Sequence, residues 1–345
     1  MVRSRGGAAA VTIREVAARA GVSVATVSRV LNAKDVVREE TTAQVLEAAR
    51  ALRYVPNVAA RSLSIRRTHT IGIVLPEMHG EFFSEVIRGI DVAARRSGYH
   101  ILVSGAHSDM QEMIDVVDAM RGRVDGLLIM APDVAIDSLR DDVPLVLLNA
   151  TDSGHDAITV DNYGGAREMM RHLAGLGHTH IAFITGPPQN ADARERLRGY
   201  RQSMRGMRAR ALEVPGDFTE AAGFAAAREI AAMSPRPTAI FAANDSMAIG
   251  ALGALSGAKL RVPGDMTVAG FDDIPIARYV TPQLTTIGID IAELGRRAFT
   301  VLSTIIGNPR ARQPRRERIA TTLVVRKSCG PPERKQKSRT KGEES

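Results

Sequence analysis

Residues 12–32, TIREVAARAGVSVATVSRVLN, constrain this chain more than any other stretch, because they specify two short helices joined by a tight turn. Thr12 and Glu15 have capping-box spacing, so a helix begins at Ile13. Ile13, Val16, Ala17 and Ala20 recur at helical spacing and form its apolar face. Gly21 supplies the positive φ that ends it. Ser23 caps a second helix, Val24–Leu31, which buries Val27, Val30 and Leu31. Val24, Ala25, Thr26, Ser28, Arg29 and Asn32 are left projecting, all short or slender apart from the arginine. A helix that slim enters a major groove of DNA, where Arg29 suits a bidentate contact to guanine and Val24 and Ala25 suit a thymine methyl. A third helix, from about Arg38 to Leu52, adds Val45, Leu46, Ala49 and Leu52 as a core stripe. An ordinary helical hairpin with a solvated face has the same spacing. The residues C-terminal to the third helix separate the two readings.

Charge is spread unevenly. Residues 1–68 carry a net +7 and residues 310–345 a net +8, so the formal total of +8 leaves −7 for residues 69–309. A basic head suits a polyanion, with affinity that falls steeply with salt, whereas an acidic centre has another task. The ending PPERKQKSRTKGEES reads as a disordered tail, adding either nonspecific DNA affinity or only solubility. The 345 residues allow two or three domains, and 44% hydrophobic with 24% charged residues are ordinary globular values. No run approaches the roughly 20 apolar residues that span a bilayer, and MVRSRGGAAAV lacks a signal-peptide core. The single cysteine, Cys329, fits a reducing cytoplasm and reads as an inert thiol.

From Thr70 onward short apolar runs alternate with helical patterns. The candidate strands are 71–75, 100–104, 126–130, 144–148, 181–185, 239–243 and 266–271. Helical stretches between them include Phe83–Ser97, Tyr163–Leu176, Arg194–Met204, Ala221–Ala232, Asp245–Leu255 and Ile291–Ile306. Apolar strands separated by helices mean parallel sheets covered on both faces. The run is too long for one open sheet, and it breaks near Asp161-Asn162. The pattern gives two similar α/β subdomains, with the chain crossing back near residues 286–292. Ligands in such sheets sit beyond the carboxyl ends of the strands, which here means a cleft between the subdomains.

With YVPNVAARSLSIRRTHTIGIVLP, residues 54–76, the chain resembles the LacI/GalR family of bacterial transcription factors, a likeness that runs on to LVVRKSCGPP near residue 332. The resemblance implies an all-α helix-turn-helix headpiece (1–56), a hinge helix and linker (57–69) and a two-lobed α/β core of the periplasmic-binding-protein type (70–330). Its first lobe would hold about 70–161 and 290–315, its second about 162–288 and 316–330, with 331–345 a basic tail. It also implies hinge helices that pair on DNA, with Leu63 wedged into the minor groove and Ala59 and Ala60 allowing close approach. Such a wedge unstacks a base step, and the bend permits further contacts; a plain linker with one buried leucine is the alternative.

By the same match Arg196 is the main ligand-holding arginine, and Asp192 and Asp272 take further contact positions. Asn149 stands where the family often has an aspartate. Phe82, Phe83, Phe241 and Asn244 lie at neighbouring strand ends. The phenylalanines could equally be core, Asn244-Asp245 a helix cap, and Asp161 a hinge residue. The loop PEMHGEFF lacks the family's usual Asp and Asn-Pro pair, and its His79 and Glu81 lie near the cleft without a matching role. The implied partners are pseudopalindromic double-stranded operator DNA, a small-molecule effector, commonly a carbohydrate, and a second copy of the chain. The tail has no apolar heptads, so a homodimer is expected. No cofactor, metal, membrane or catalytic site is expected.

Enzymatic motifs fail on inspection. There is no GxSxG elbow, HExxH pair or GxxxxGK loop. Ser256-Gly-Ala-Lys259 fits SxxK only by spacing, and His178-Thr-His180 has no further metal ligands nearby in sequence. A solute-binding protein would share the core fold, but the absent signal-peptide core and the helix-turn-helix oppose it.

Overall fold

Local chemistry sets the first unit. The computed structural model describes residues 11–32, 37–54, 67–78, 80–106, 110–130, 143–149, 154–308 and 315–332. In it the Glu15 carboxylate accepts from the Thr12 backbone N–H at 2.6 Å and from the Thr12 hydroxyl at 2.8 Å. Helix α1 (Ile13–Ala20) starts there and ends at Gly21, whose φ of 64° is left-handed. Ser23 Oγ accepts from the Thr26 N–H at 3.1 Å and starts α2 (Val24–Asn32). Helix α3 spans Glu39–Ala51. The three close on a small core of Val16, Ala17, Val27, Val45, Ala48 and Ala49. Leu46, expected in that core, is exposed. Val45, Ala48, Ala49 and Leu52 keep the i, i+3, i+4, i+7 spacing, and Leu46 falls off that stripe.

The chain divides into two compact units, Met1–Thr68 and His69–Ser345. Among the described residues the second unit holds two six-stranded sheets. The first is built from β1 (Thr70–Leu75), β2 (His100–Gly105), β3 (Gly126–Met130), β4 (Leu145–Leu148), β5 (Asp156–Val160) and β11 (Arg316–Ile319). Its order is β11-β5-β4-β3-β1-β2, parallel throughout. The second contains β6 (Ile181–Ile184), β7 (Leu212–Val214), β8 (Ala239–Ala242), β9 (Thr267–Asp272), β10 (Thr285–Gly288) and β12 (Thr322–Val324). Its order is β12-β10-β9-β8-β6-β7, with only the edge strand β12 antiparallel. The interior strands are buried along almost their whole length, only Thr70, Thr159 and Gly288 being half-buried, as sheets covered on both faces require.

Helices α4 (Glu81–Arg96), α5 (Met110–Met120) and α10 (Ile291–Gly307) belong to the first lobe. The second carries α6 (Asn162–Gly175), α7 (Ala191–Gly206), α8 (Glu220–Ala232) and α9 (Asp245–Gly257). Helices α4 and α10 pack backbone to backbone: a Cβ on Gly295 would lie 2.2 Å from the Val86 carbonyl oxygen. The chain passes between lobes at Asp161, at Ile289–Asp290 and at Ala320–Thr321. This corrects the expected boundary. Residues 316–319 do not join the second lobe, because β11 pairs with β5, and the Asp161 N–H donates to the Ile319 carbonyl at 3.0 Å. Asp161 also caps α6, accepting from the Gly164 N–H at 3.2 Å, which places its carboxylate at a crossover.

Candidate DNA-reading helix and ligand cleft

On α2 the side chains of Val24, Ala25 and Arg29 are exposed, and Ser28 is half-buried. Thr26 is half-buried too, its hydroxyl 2.9 Å from Ser23 Oγ, so it helps the cap. Asn32 ends the helix, but its side chain lies outside the described residues, as do Ala59 and Leu63.

In the second unit a cavity of about 260 Å³ opens between the lobes at the carboxyl ends of the strands. Asn149 follows β4, Asp192 and Arg196 sit on α7 after β6, Asn244 follows β8, and Asp272 ends β9; all five line the cavity. Arg196 is 3% exposed. Its Nε donates to Asn162 Oδ1 at 2.8 Å and its Nη1 to the Ala243 carbonyl at 2.6 Å. Its Nη2 lies 2.9 Å from Asp272 Oδ1, and the guanidinium stacks 3.8 Å over the Phe271 ring. Asn162 Nδ2 also donates to Asp192 at 2.6 Å, which ties Asp192 into the same network. Asn162 was not expected here, although the break at Asp161-Asn162 was its only signal in the chain.

Burial raises the carboxyls of Asp192 and Asp272 to about 6, and the Arg196 charge opposes that rise in both. Asn149 adopts φ 61° and Asp272 φ 114°, left-handed values that cost energy outside glycine and gather at binding sites. The Asn149 Oδ1 is buried and has no hydrogen-bond partner among the described residues. A buried acceptor left open in this way loses its hydration unless a ligand or water supplies a donor. Asn244 lines the cavity while capping α9: its Oδ1 accepts from the Met247 N–H at 2.9 Å and its Nδ2 donates to the Phe218 carbonyl at 2.9 Å. Phe82 and Phe83 also line it, edge to face at 5.5 Å. Phe241 does not. Its ring is fully buried in the second lobe's core, 5.1 Å from Phe183, because β8 is covered on both faces. Glu81, Phe218 and Glu220 are among the further wall residues; they come from helix starts and a loop, where no periodicity marks them.

The remaining chemical suspects have structural roles. His178 is buried, with Nε2 2.8 Å from the Gly330 carbonyl and Nδ1 2.8 Å from the Thr238 hydroxyl. Since a carbonyl only accepts, Nε2 carries the proton; burial lowers the pKa of the ring and favours this neutral form. Ser256 and Lys259 are exposed where α9 ends. Burial pushes the Cys329 thiol up to about 12. Among the described residues no cluster of His, Cys, Asp and Glu is arranged to hold a metal, and no helix is long and apolar enough to cross a membrane.

A helix-turn-helix unit followed by a two-lobed α/β core with a polar cleft defines a ligand-responsive DNA-binding regulator. Residues 12–57 match the family described as bacterial regulatory proteins, lacI family, and residues 170–329 match the periplasmic binding protein-like domain. The ribose operon repressor of Escherichia coli (strain K12) is 39% identical over 315 residues, 88% of this chain and 96% of the relative. The transcriptional repressor PurR of Edwardsiella ictaluri is 36% identical over 303 residues, 84% and 89% of the two chains. The crystal structure of the Lac repressor dimer bound to operator and the anti-inducer ONPF matches with a TM-score of 0.84 at 30% identity, covering 92% of this chain and 99% of that one. The chain belongs to the LacI family of bacterial transcriptional regulators.

Proposed function

We propose that this regulator is a cytoplasmic homodimeric repressor that catalyses no reaction and whose effector is a free sugar, with ribose the first candidate. The observation that carries the effector reading is the open Asn149 Oδ1 in the same cavity, of about 260 Å³, as the Arg196–Asp272 pair. Asn149, Asp192 and Asp272 present acceptors to ligand hydroxyls, Arg196 fixes the Asp272 carboxylate, and Phe82 offers a ring face, a combination suited to a small polar ligand. Similarity to a ribose operon repressor supports ribose over other sugars. On DNA, Arg29 reads guanine, Val24, Ala25, Thr26, Ser28 and Asn32 face the base edges, and Leu63 enters the minor groove, with Ala59 allowing the close approach. Two such helices occupy neighbouring half-sites of a pseudopalindrome.

A mobility shift with the protein's own upstream intergenic DNA, titrated with ribose, other free sugars and nucleobases, tests this. Release of a specific complex by ribose is expected. A complex that responds only to a nucleobase would transfer the cleft to that ligand class, and a complex indifferent to every compound would sink the effector reading.

A further inference from the structure

Besides the chain crossovers, a hydrogen bond links the lobes at the cleft itself. Glu81 opens α4 in the first lobe and lines the cavity. Its Oε2 accepts a hydrogen bond at 2.7 Å from the backbone N–H of Ile276, in the 3₁₀ turn Pro275–Arg278 of the second lobe. A carboxylate accepting from an amide makes one of the stronger hydrogen bonds, shorter than a neutral pair.

The turn that Glu81 grips is not a loose loop. It follows Asp272 and Asp273, both left-handed at φ 114° and 57°, with only Ile274 between. From inside, the buried Asp245 carboxylate accepts from the Ile274 N–H at 3.0 Å and from the Thr286 hydroxyl at 2.6 Å. Asp273 is held by Arg326 at 2.6 Å. Any pull on Ile276 is therefore transmitted through a fixed turn to Asp272, which pairs with Arg196.

We propose that Glu81 is a positioning residue that draws the lobes together over the cleft, so that the ligand-free chain is already biased toward the ligand-closed arrangement. This rests on the cleft being the effector site. A ligand shifts an equilibrium only through its different affinity for the two arrangements, and coupling between ligand and arrangement is reciprocal. Loss of the latch therefore weakens effector binding. It also moves ligand-free operator affinity in the direction opposite to the effector's own effect, whichever direction that is. A glutamate that merely touched the ligand would weaken effector binding alone.

The test uses full-length wild type, Glu81→Ala and Glu81→Gln, with ribose as the probe ligand. Glu81→Ala should weaken ribose binding by about 5–10-fold, within the usual range of allosteric coupling, and shift ligand-free operator affinity several-fold against the sign of ribose. Glu81→Gln keeps a carbonyl acceptor at the same reach and should restore most of both. Amide hydrogen exchange at Ile276 reads the latch without any ligand: it should run roughly tenfold faster in Glu81→Ala, as expected when a local hydrogen bond is lost. Unchanged Ile276 exchange overturns the latch whatever ribose does. Unchanged ligand-free operator affinity, a shift in the same sense as ribose, or no rescue by glutamine overturns it as well. Failure of ribose to act on wild type instead removes the ribose assignment, and leaves the exchange result to decide the latch.

Discussion

Arg196 gathers the cleft's polar chemistry onto one side chain, and its burial makes each partner costly to lose. Removing it leaves the Asp272 carboxylate enclosed without its cation. Arg196→Ala should keep operator binding but lose the effector response, at a stability cost of about 3 kcal/mol or more typical of a broken buried pair; calorimetry and thermal melts read the two effects. Asp192 and Asp272, raised to about 6, add a pH dependence. Their folded pKa values lie above the ordinary carboxylate value, so between about pH 4 and 6 the folded state holds protons that the unfolded chain has released. Their contribution to stability therefore falls as pH rises through that window. Asp272→Asn should flatten the melting-temperature profile between pH 4 and 6 relative to wild type. Effector affinity should weaken below about pH 6, where protonation removes an ionised acceptor; titration calorimetry at pH 5 and 7.5 checks it.

Capping and periodicity locate whole elements well where the chain advertises them. Thr12, Gly21 and Ser23 bound α1 and the start of α2 as expected. The helices read from Phe83, Tyr163, Arg194, Ala221, Asp245 and Ile291 all form, with ends moved by up to three residues. Short strands are harder. β5 (DAITV), β7 (LEV), β10 (TTIG), β11 (RERI) and β12 (TLV) lack the unbroken apolar runs that mark β4, β6 and β8 at similar length, so periodicity alone does not distinguish them from loop. Close helix packing is likewise invisible until two helices meet. Gly295→Ala would set a Cβ against the Val86 carbonyl, pushing α10 off α4. The expected loss is about 1–3 kcal/mol, as for other overpacked contacts, visible as a melting point lowered by several degrees while operator contacts stay intact.

For the whole molecule, charge and connectivity divide the work. The basic head and acidic centre assign DNA and ligand to different units, and the unit boundary after Thr68 agrees with that division. Leu63→Ala should lose specific operator affinity while leaving effector affinity nearly unchanged; parallel loss of both, measured by mobility shift and calorimetry, would refute separate tasks. The amino-acid sequence alone determined the headpiece and the alternation of apolar strands with helices, because capping and periodicity are local in the chain; it put Asn149 at a strand end, while resemblance to the family, not a local pattern, singled out Asp192, Arg196 and Asp272. The tertiary structure alone decided that Phe241 is core, that Asn162 joins the arginine, that residues 316–319 belong to the first lobe and that Glu81 reaches Ile276. Each of these depends on which surfaces meet across dozens of residues, and no local pattern encodes a contact between segments that pack only after the sheets have formed.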